Sequence, residues 1–180
     1  FMSEVMRMTA VNRIAILGAE SSGKSQLAEA LATHYKTVWV PEYLREFVEL
    51  NKRVPLEDDQ LQIALTQLNN EETLLPQAKQ WLFCDTTPLM TALYSQFYFK
   101  QVDPELQRIA LQHHYALTLV TAPDFPWIAD GLQRESPAVR QIIHDELVNR
   151  LDTLGIPFVL LEGALHERLL QVQFTLEFLS

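Results

Sequence analysis

A chain of 180 residues has the length of one compact domain with its own hydrophobic core, and we expect a single domain over 1–180. Apolar residues make up 48% of the chain and charged residues 21%, which excludes a disordered or fibrous protein. The net charge of −9 argues against non-specific binding to nucleic acid or to a membrane surface, because both partners require an excess of Lys and Arg.

The cysteine content and the hydropathy of the sequence indicate the cellular compartment of the protein. Cys84 is the one cysteine, so an intramolecular disulfide is excluded and a reducing, cytoplasmic setting is expected. No stretch reaches the roughly 18–20 apolar residues that span a bilayer, and the N-terminus lacks the basic and apolar zones of a signal peptide. The sequence therefore predicts a protein that has no membrane partner.

The first half of the chain alternates short apolar runs with segments of helical spacing. The runs have four or five residues and are followed by Gly or Pro, as expected for buried parallel strands, whereas a 3.6-residue apolar period predicts helices. The predicted elements are a strand at 13–17, a helix at 24–35, a strand at 37–40, a helix at 42–50 and a long amphipathic helix at 56–79.

The second half continues this alternation. Its predicted elements are a strand at 81–84, a helix up to Phe99, a helix capped by Asp103 and ending at His114, a strand at 117–121, a helix at 138–154, a strand at 158–161 and a helix at 165–179. Prolines, a glycine and several charges between 124 and 137 predict a loop instead. The whole pattern predicts a three-layer α/β domain with a central parallel sheet of about five strands and a lid at approximately 124–140.

The loop after the first predicted strand carries the clearest chemical signal. Gly18-Ala19-Glu20-Ser21-Ser22-Gly23-Lys24-Ser25 fits the P-loop pattern G-x-x-x-x-G-K-[ST] at every fixed position, between a strand and a helix. Backbone N–H groups and a helix N-terminus form an anion site there, and the glycines let the backbone wrap around phosphates. We expect Lys24 to reach the β- and γ-phosphates of ATP and the Ser25 hydroxyl to bind Mg²⁺. Glu20, Ser21, Ser22 and Gln26 complete the predicted nucleotide site.

Two carboxylates follow neighbouring strands. Asp85 ends an apolar run, where a Walker-B carboxylate would hold Mg²⁺, although Asp85-Thr86-Thr87-Pro88 is also a helix-capping sequence. Glu42 follows the second strand, at the sheet edge where open α/β folds bind ligands. It is a candidate to orient or deprotonate an attacking hydroxyl, and the alternative is a solvated residue of the first helical turn.

Further candidates surround this predicted site. Arg45 lies three residues after Glu42 on one helical face, where it pairs with a carboxylate, contacts substrate or forms a surface ion pair. Tyr43 and Trp127 are candidates to stack on a planar heterocycle, with ordinary packing as the alternative. Asp130, Arg134 and Arg140 fall in or beside the excursion, where P-loop kinases carry a lid with arginines that stabilise charge on the transferring phosphoryl group. Solvated side chains are the alternative for both arginines.

Five segments together resemble the ribosylnicotinamide kinase domain of NadR-type P-loop proteins. They are the P-loop at 18–25 with Leu-Ala-Glu-Ala-Leu-Ala at 27–32, Pro-Glu-Tyr-Leu-Arg-Glu-Phe at 41–47, Phe-Cys-Asp-Thr at 83–86 and Pro-Trp-Ile-Ala-Asp-Gly-Leu-Gln-Arg at 126–134. Their order and spacing hold over nearly the whole chain. Gln26 departs from the Thr that the family commonly has, at a helix-surface position that leaves phosphate binding intact.

The resemblance implies a kinase that moves the ATP γ-phosphate onto the 5′-hydroxyl of nicotinamide riboside to give nicotinamide mononucleotide, with Mg²⁺ as cofactor. Carried over by position, 18–25 bind the ATP phosphates, Asp85 and Ser25 serve Mg²⁺, Glu42 and Arg45 face the acceptor, and Arg134 lies in the lid. Long NadR-type proteins also carry a His-x-Gly-His nucleotidyltransferase motif, which this sequence lacks. The residues alone leave open a kinase for another nucleoside, nucleotide or small alcohol, or a regulatory P-loop NTPase without an acceptor.

Overall fold

The computed structural model describes residues 10–128 and 135–180 and places five strands in one sheet. The strands are β1 (Asn12–Leu17), β2 (Trp39–Val40), β3 (Trp81–Asp85), β4 (Leu117–Thr121) and β5 (Val159–Leu161). Their order is β2-β3-β1-β4-β5, and every pair in the sheet is parallel. The predicted parallel sheet is confirmed.

Helices connect the strands in the described part of the chain. They are α1 (Lys24–His34), α2 (Tyr43–Asn51), α3 (Gln60–Leu74), α4 (Pro88–Phe99), α5 (Pro104–Leu111), α6 (Pro137–Leu154) and α7 (Leu165–Glu177). As predicted, the Asp103 side chain caps its helix, and it accepts hydrogen bonds from the N–H groups of Glu105 and Leu106. The predicted end at His114 is wrong, because this helix ends at Leu111.

The long helix predicted over 56–79 is shorter in the structure. Helix α3 lies between two 3₁₀ turns, Glu57–Asp59 and Leu75–Gln77. Pro76 lacks an N–H donor and cannot continue an α-helix, which explains the end at Leu74. At the other end, Asp59 accepts a 2.8 Å hydrogen bond from the Leu56 N–H and so forms a turn before Gln60.

Two apolar layers enclose the sheet. On one face α1 and α7 pack against it through buried side chains such as Leu27, Leu31 and Val172, beside Ile14 and Phe83 of the strands. The opposite face is covered by α3, α4, α5 and α6, with buried side chains that include Ala64, Met90, Ile109 and Leu147. Cys84 is buried within β3, where it packs as a small apolar side chain. The three-layer α/β architecture is therefore confirmed.

The topology fixes where a ligand can bind. Strand β1 lies between β3 and β4. The strands β2 and β3 lie on one side of β1, and the later strands β4 and β5 lie on its other side. In open α/β sheets such a switch leaves a crevice at the carboxyl ends of the central strands. The P-loop follows β1 and Asp85 ends β3, so the predicted phosphate and metal residues meet at this crevice.

The amino-terminal end of β1 is held by a partly buried ionic network. Arg13 at the start of β1 donates to Glu71 at 3.1 Å and to Glu72 at 2.6 Å, both on α3. The Tyr115 hydroxyl donates to Glu71 at 2.7 Å. Burial raises the pKa of Glu71, while Tyr115 and Arg13 favour its ionised form. The network therefore pins α3 to β1 and to the start of β4.

Glu71→Ala should lower the free energy of unfolding by about 3 kcal/mol, because it leaves the half-buried Arg13 and the Tyr115 hydroxyl without their carboxylate. Urea unfolding followed by circular dichroism measures the change. Glu72→Ala is the matched control, since Glu72 binds the same arginine from an exposed position, and we expect it to cost less than about 1 kcal/mol. Equal effects of the two substitutions would contradict this account.

Candidate active site

The P-loop runs from the end of β1 to the start of α1 and requires glycine at both fixed positions. Gly23 has φ +87°, and a Cβ there would lie 2.5 Å from the Phe125 ring. At Gly18, a Cβ would lie 2.2 Å from the Thr121 Oγ1 atom. The loop is therefore packed against the end of β4 and the segment that follows it, and a larger side chain at either position would displace it.

Side chains of the loop hold its curved shape. The Ser22 hydroxyl donates to the Ala19 carbonyl at 2.6 Å and lies 2.7 Å from the Thr121 Oγ1 atom. Lys24 is only 7% exposed, and its Nζ atom donates to the same Ala19 carbonyl at 3.1 Å. The lysine charge is thus held within the loop whose N–H groups form the predicted phosphate site. Gln26 lies on the exposed face of α1.

Asp85 and Ser25 meet as predicted for a metal site. The Ser25 hydroxyl donates to the Asp85 Oδ2 atom at 2.8 Å. Asp85 is fully buried, and its Oδ1 atom has no hydrogen-bond partner among the described residues. An unpartnered carboxylate oxygen beside a hydroxyl fits the oxygen ligands that Mg²⁺ takes. The capping alternative for Asp85 is not what the structure shows, because Thr87 occupies the N-cap of α4.

The electrostatics of Asp85 show which other groups face it. Burial and the nearby Glu42 carboxylate raise the pKa of Asp85 to about 6, while Lys24, the Ser25 hydroxyl and Arg45 act in the opposite direction. Four residues predicted for the site therefore lie around one carboxylate. A buried acid with a strongly shifted pKa in a cleft is typical of functional sites.

Gln67 of α3, which sequence reasoning missed, fixes the two acidic residues relative to each other. Its Oε1 atom accepts from the Tyr43 N–H at 2.8 Å, and its Nε2 atom donates to the carbonyls of Pro41 and Asp85 at 3.2 and 3.3 Å. Pro41 and Tyr43 flank Glu42, so one amide ties the backbone around Glu42 to Asp85. Gln67 is 2% exposed, and polar residues in helical register with Ile63 and Ala64 were the signal that could have indicated it.

A pocket opens beside these carboxylates. It is lined by Glu42, Leu44, Gln60, Ile63, Gln67, Thr86, Thr91 and Tyr94. Thr86 has φ +80°, a strained conformation for a β-branched residue directly after Asp85, and such strain is concentrated at functional sites. The lining combines apolar side chains with a few polar groups, as small-molecule sites do.

Three other predicted acceptor residues do not line this pocket. Tyr43 is half-buried, and its backbone N–H makes the contact with Gln67. Arg45 is exposed on α2 and acts on Asp85 through its charge. The Trp127 ring lies 5.7 Å from the Arg140 guanidinium carbon. Among these four candidates, Glu42 is the one that lines the pocket.

The segment around the predicted lid is described only in part. Asp130 and Arg134 lie outside the described residues. Arg140, in the first turn of α6, is 8% exposed and donates from Nη1 to the carbonyls of Ser21 and Phe125 at 3.0 and 2.8 Å. Arg140, within the segment predicted to be a lid, therefore contacts the P-loop backbone.

Glu135, another residue that the sequence did not indicate, links the P-loop to the pocket. Its Oε2 atom accepts a hydrogen bond from the Glu20 N–H at 2.9 Å. Its Oε1 atom accepts from the hydroxyl of Tyr94 at 2.6 Å, and Tyr94 lines the pocket. A buried carboxylate thus joins the predicted phosphate site to the neighbouring cavity.

Comparison with known proteins gives the family. The model of a family described as an AAA domain matches residues 13–168. The trifunctional NAD biosynthesis/regulator protein NadR of Escherichia coli is 31% identical over 157 residues, which are 84% of this chain and 38% of that protein. The chain therefore spans about two fifths of the length of this curated relative.

Solved structures agree with this relationship. A crystal structure of a NadR protein in complex with NR superposes with a TM-score of 0.76 and 25% identity, over 88% of this chain and 48% of the other. Thymidylate kinase from Ehrlichia chaffeensis, at 18% identity, shares the fold with a TM-score of 0.63 over 93% of this chain and all of the other. Within the described ranges, no helix combines the length and apolarity needed to cross a bilayer. By its sequence match over 13–168 and its P-loop kinase fold, the chain belongs to the AAA-domain family and is a homologue of NadR.

Proposed function

We propose that this chain is an ATP-dependent kinase that phosphorylates the 5′-hydroxyl of nicotinamide riboside, giving nicotinamide mononucleotide. The observation that carries the proposal is the cluster of Lys24, Ser25 and Asp85 at the P-loop, next to a pocket that Glu42 lines. A nucleotide site beside a separate cavity is what transfer between two bound molecules requires. We further propose that the kinase is a single domain over 1–180 and that it acts in the cytoplasm.

The P-loop residues 18–25 bind the ATP phosphates in this proposal, with Lys24 neutralising part of their charge. Ser25 and Asp85 would hold Mg²⁺, which supplies charge stabilisation for the phosphoryl group when bound. Arg134 and Arg140 serve nucleotide binding in this proposal, and Asp130 serves the acceptor. Positioning and electrostatic stabilisation provide most of the rate in such a site.

The acceptor binds at the pocket that Glu42 lines, with its hydroxyl directed at the γ-phosphate. Glu42 or Asp85 orients that hydroxyl and takes its proton. Tyr43, Arg45 and Trp127 are proposed to contact the acceptor from the rim. Nicotinamide riboside is chosen because the homologous NadR structure is a complex with NR and because the quoted segments resemble that kinase domain.

The decisive experiment is an ADP-release assay with nicotinamide riboside, a panel of other nucleosides and a blank without acceptor. We expect the largest signal with nicotinamide riboside, and mass spectrometry should identify a phosphorylated product. A signal with a different nucleoside would keep the kinase and replace its substrate. ADP release that no nucleoside increases would favour a regulatory NTPase.

Glu42→Gln should lower kcat about 10²-fold with little change in ATP affinity, because the amide cannot accept the hydroxyl proton. Steady-state kinetics at saturating ATP measures this change. Glu46→Gln is the matched control, since Glu46 is exposed one turn later on α2, and its kcat should stay near that of the wild type. Full kcat in Glu42→Gln would assign proton acceptance to Asp85.

A further inference from the structure

Two buried arginines approach the P-loop from the side opposite its predicted phosphate site. Arg140 in the first turn of α6 donates to the carbonyl of Ser21 at 3.0 Å. Arg168 in the first turn of α7 donates to the carbonyl of Ser22 at 2.5 Å and is completely buried. Successive carbonyls of the loop are therefore each bound by a guanidinium.

These contacts fix the direction of two backbone donors. In a planar trans peptide the C=O and N–H groups point in opposite directions. The Ser21 carbonyl shares its peptide plane with the Ser22 N–H, and the Ser22 carbonyl shares its plane with the Gly23 N–H. Neither N–H donates a hydrogen bond to another residue within 10–128 and 135–180. Arginines on the carbonyl side thus turn both N–H groups towards the concave side of the loop.

The two cations differ in how their charge is balanced. Arg168 forms an ion pair with the Asp124 carboxylate. Arg140 has no carboxylate partner in the described part of the chain, and its Nε atom is buried there without a hydrogen-bond partner. A buried cation without a counter-ion is costly, and an anion bound on the other side of the P-loop would reduce that cost.

Aromatic packing by Phe125 holds the P-loop against Arg168. The Arg168 guanidinium lies 4.1 Å from the centre of the Phe125 ring, whose atoms also limit the space at Gly23. Arg168 further donates to the carbonyls of Ala122 and Gly163, both at 3.0 Å. It therefore joins the P-loop to the loops that follow β4 and β5.

We propose that Arg140 and Arg168 are positioning residues for phosphate binding, which act through the Ser21–Ser22 and Ser22–Gly23 peptides and not through contact with the nucleotide. A cation at the carbonyl end polarises each peptide so that its N–H becomes a stronger donor, and the same contact holds its direction. The inference rests on the proposed binding of ATP at the P-loop, but not on the identity of the acceptor.

The test measures the affinity of the whole protein for ATP and for inorganic tripolyphosphate by calorimetry. We expect Arg140→Gln and Arg168→Lys each to weaken both ligands about tenfold, the loss that corresponds to one charged hydrogen bond, and Arg140→Lys to recover part of it. The ¹⁵N–¹H resonances of Ser22 and Gly23 should also shift in the nucleotide-free variants. A direct contact of Arg140 with phosphate would leave those two resonances unchanged and would overturn the proposal for Arg140.

Arg13→Lys is the matched control, because it disturbs a half-buried, ion-paired arginine at the end of the sheet away from the P-loop. It should lower the melting temperature without changing either affinity. Folded Arg140→Gln and Arg168→Lys that bind tripolyphosphate within twofold of wild type would overturn the inference. If Arg168→Lys does not fold, the affinities of the Arg140 variants decide whether the inference holds. Wild-type protein that binds both ligands yet phosphorylates no nucleoside would contradict the proposed function and leave this inference standing.

Discussion

Lys24→Ala should lower ATP turnover by at least about 10³-fold while the protein stays folded. The Lys24 ammonium is held within the P-loop by the Ala19 carbonyl and is not part of either apolar layer, so its removal takes charge from the phosphate site and little from the core. ADP release at saturating acceptor measures turnover, and circular dichroism verifies the fold.

Lys79→Ala is the control for Lys24→Ala, because Lys79 is an exposed lysine just before β3, at the sheet edge away from the P-loop. Its turnover should equal that of the wild type. Turnover in Lys24→Ala at the wild-type level would overturn the whole P-loop assignment, whereas a loss shared by both variants would indicate a general effect of net charge.

Asp85→Asn should have two opposite effects, on activity and on stability. Turnover should fall about 10³-fold and require more Mg²⁺, because the amide replaces the anionic oxygen that fits the metal. At the same time the ligand-free variant should be more stable than the wild type at pH 7. Mg²⁺ titrations of turnover and thermal unfolding without ligand measure the two effects.

The sign of the stability effect follows from the pKa of Asp85. Burial raises this pKa to about 6 in the folded protein, above the value near 3.9 of an unfolded chain. The favourable contribution of Asp85 is therefore complete below about pH 4 and is lost as the pH rises through 6, which costs about 2–3 kcal/mol at pH 7. Asp85→Asn should recover part of this lost stability and raise the melting temperature by about 5 °C.

The same argument supplies an internal control for Asp85→Asn. At pH 4.5 the folded wild type carries a protonated Asp85, so the difference in melting temperature between the two proteins should largely disappear. A stabilisation that is equal at pH 4.5 and pH 7 would indicate a cause other than ionisation. A variant that is less stable at pH 7 would show that the hydrogen bond to Ser25 outweighs the burial of the charge.

Features encoded in consecutive residues were predictable. The pattern at 18–25 identified the P-loop because its glycines, lysine and serine are close in sequence and all act in one loop. Asp85 was indicated because a polar residue ending an apolar run must lie at a strand end. Parallel strands then brought it to Ser25, as the 2.8 Å hydrogen bond shows.

Residues whose role depends on distant partners were not predictable. Gln67 bridges backbone groups 18 to 26 residues away, Glu135 binds a loop 115 residues earlier, and Arg168 binds one 146 residues earlier. Within their own stretches of sequence these side chains look like ordinary polar positions. Their function follows from the packing of α3, α6 and α7 around the sheet, which a single sequence does not encode locally.

Gln67 also carries a consequence for engineering this site. Because its amide binds the backbone on both sides of Glu42 and at Asp85, a shift of α3 would move both carboxylates together and keep their separation. The pocket residues Ile63 and Gln60 lie on the same helix, one turn and two turns before Gln67. In the proposed acceptor site, redesign of the substrate preference can therefore begin at these two positions, with Gln67 left unchanged so that Glu42 and Asp85 keep their places.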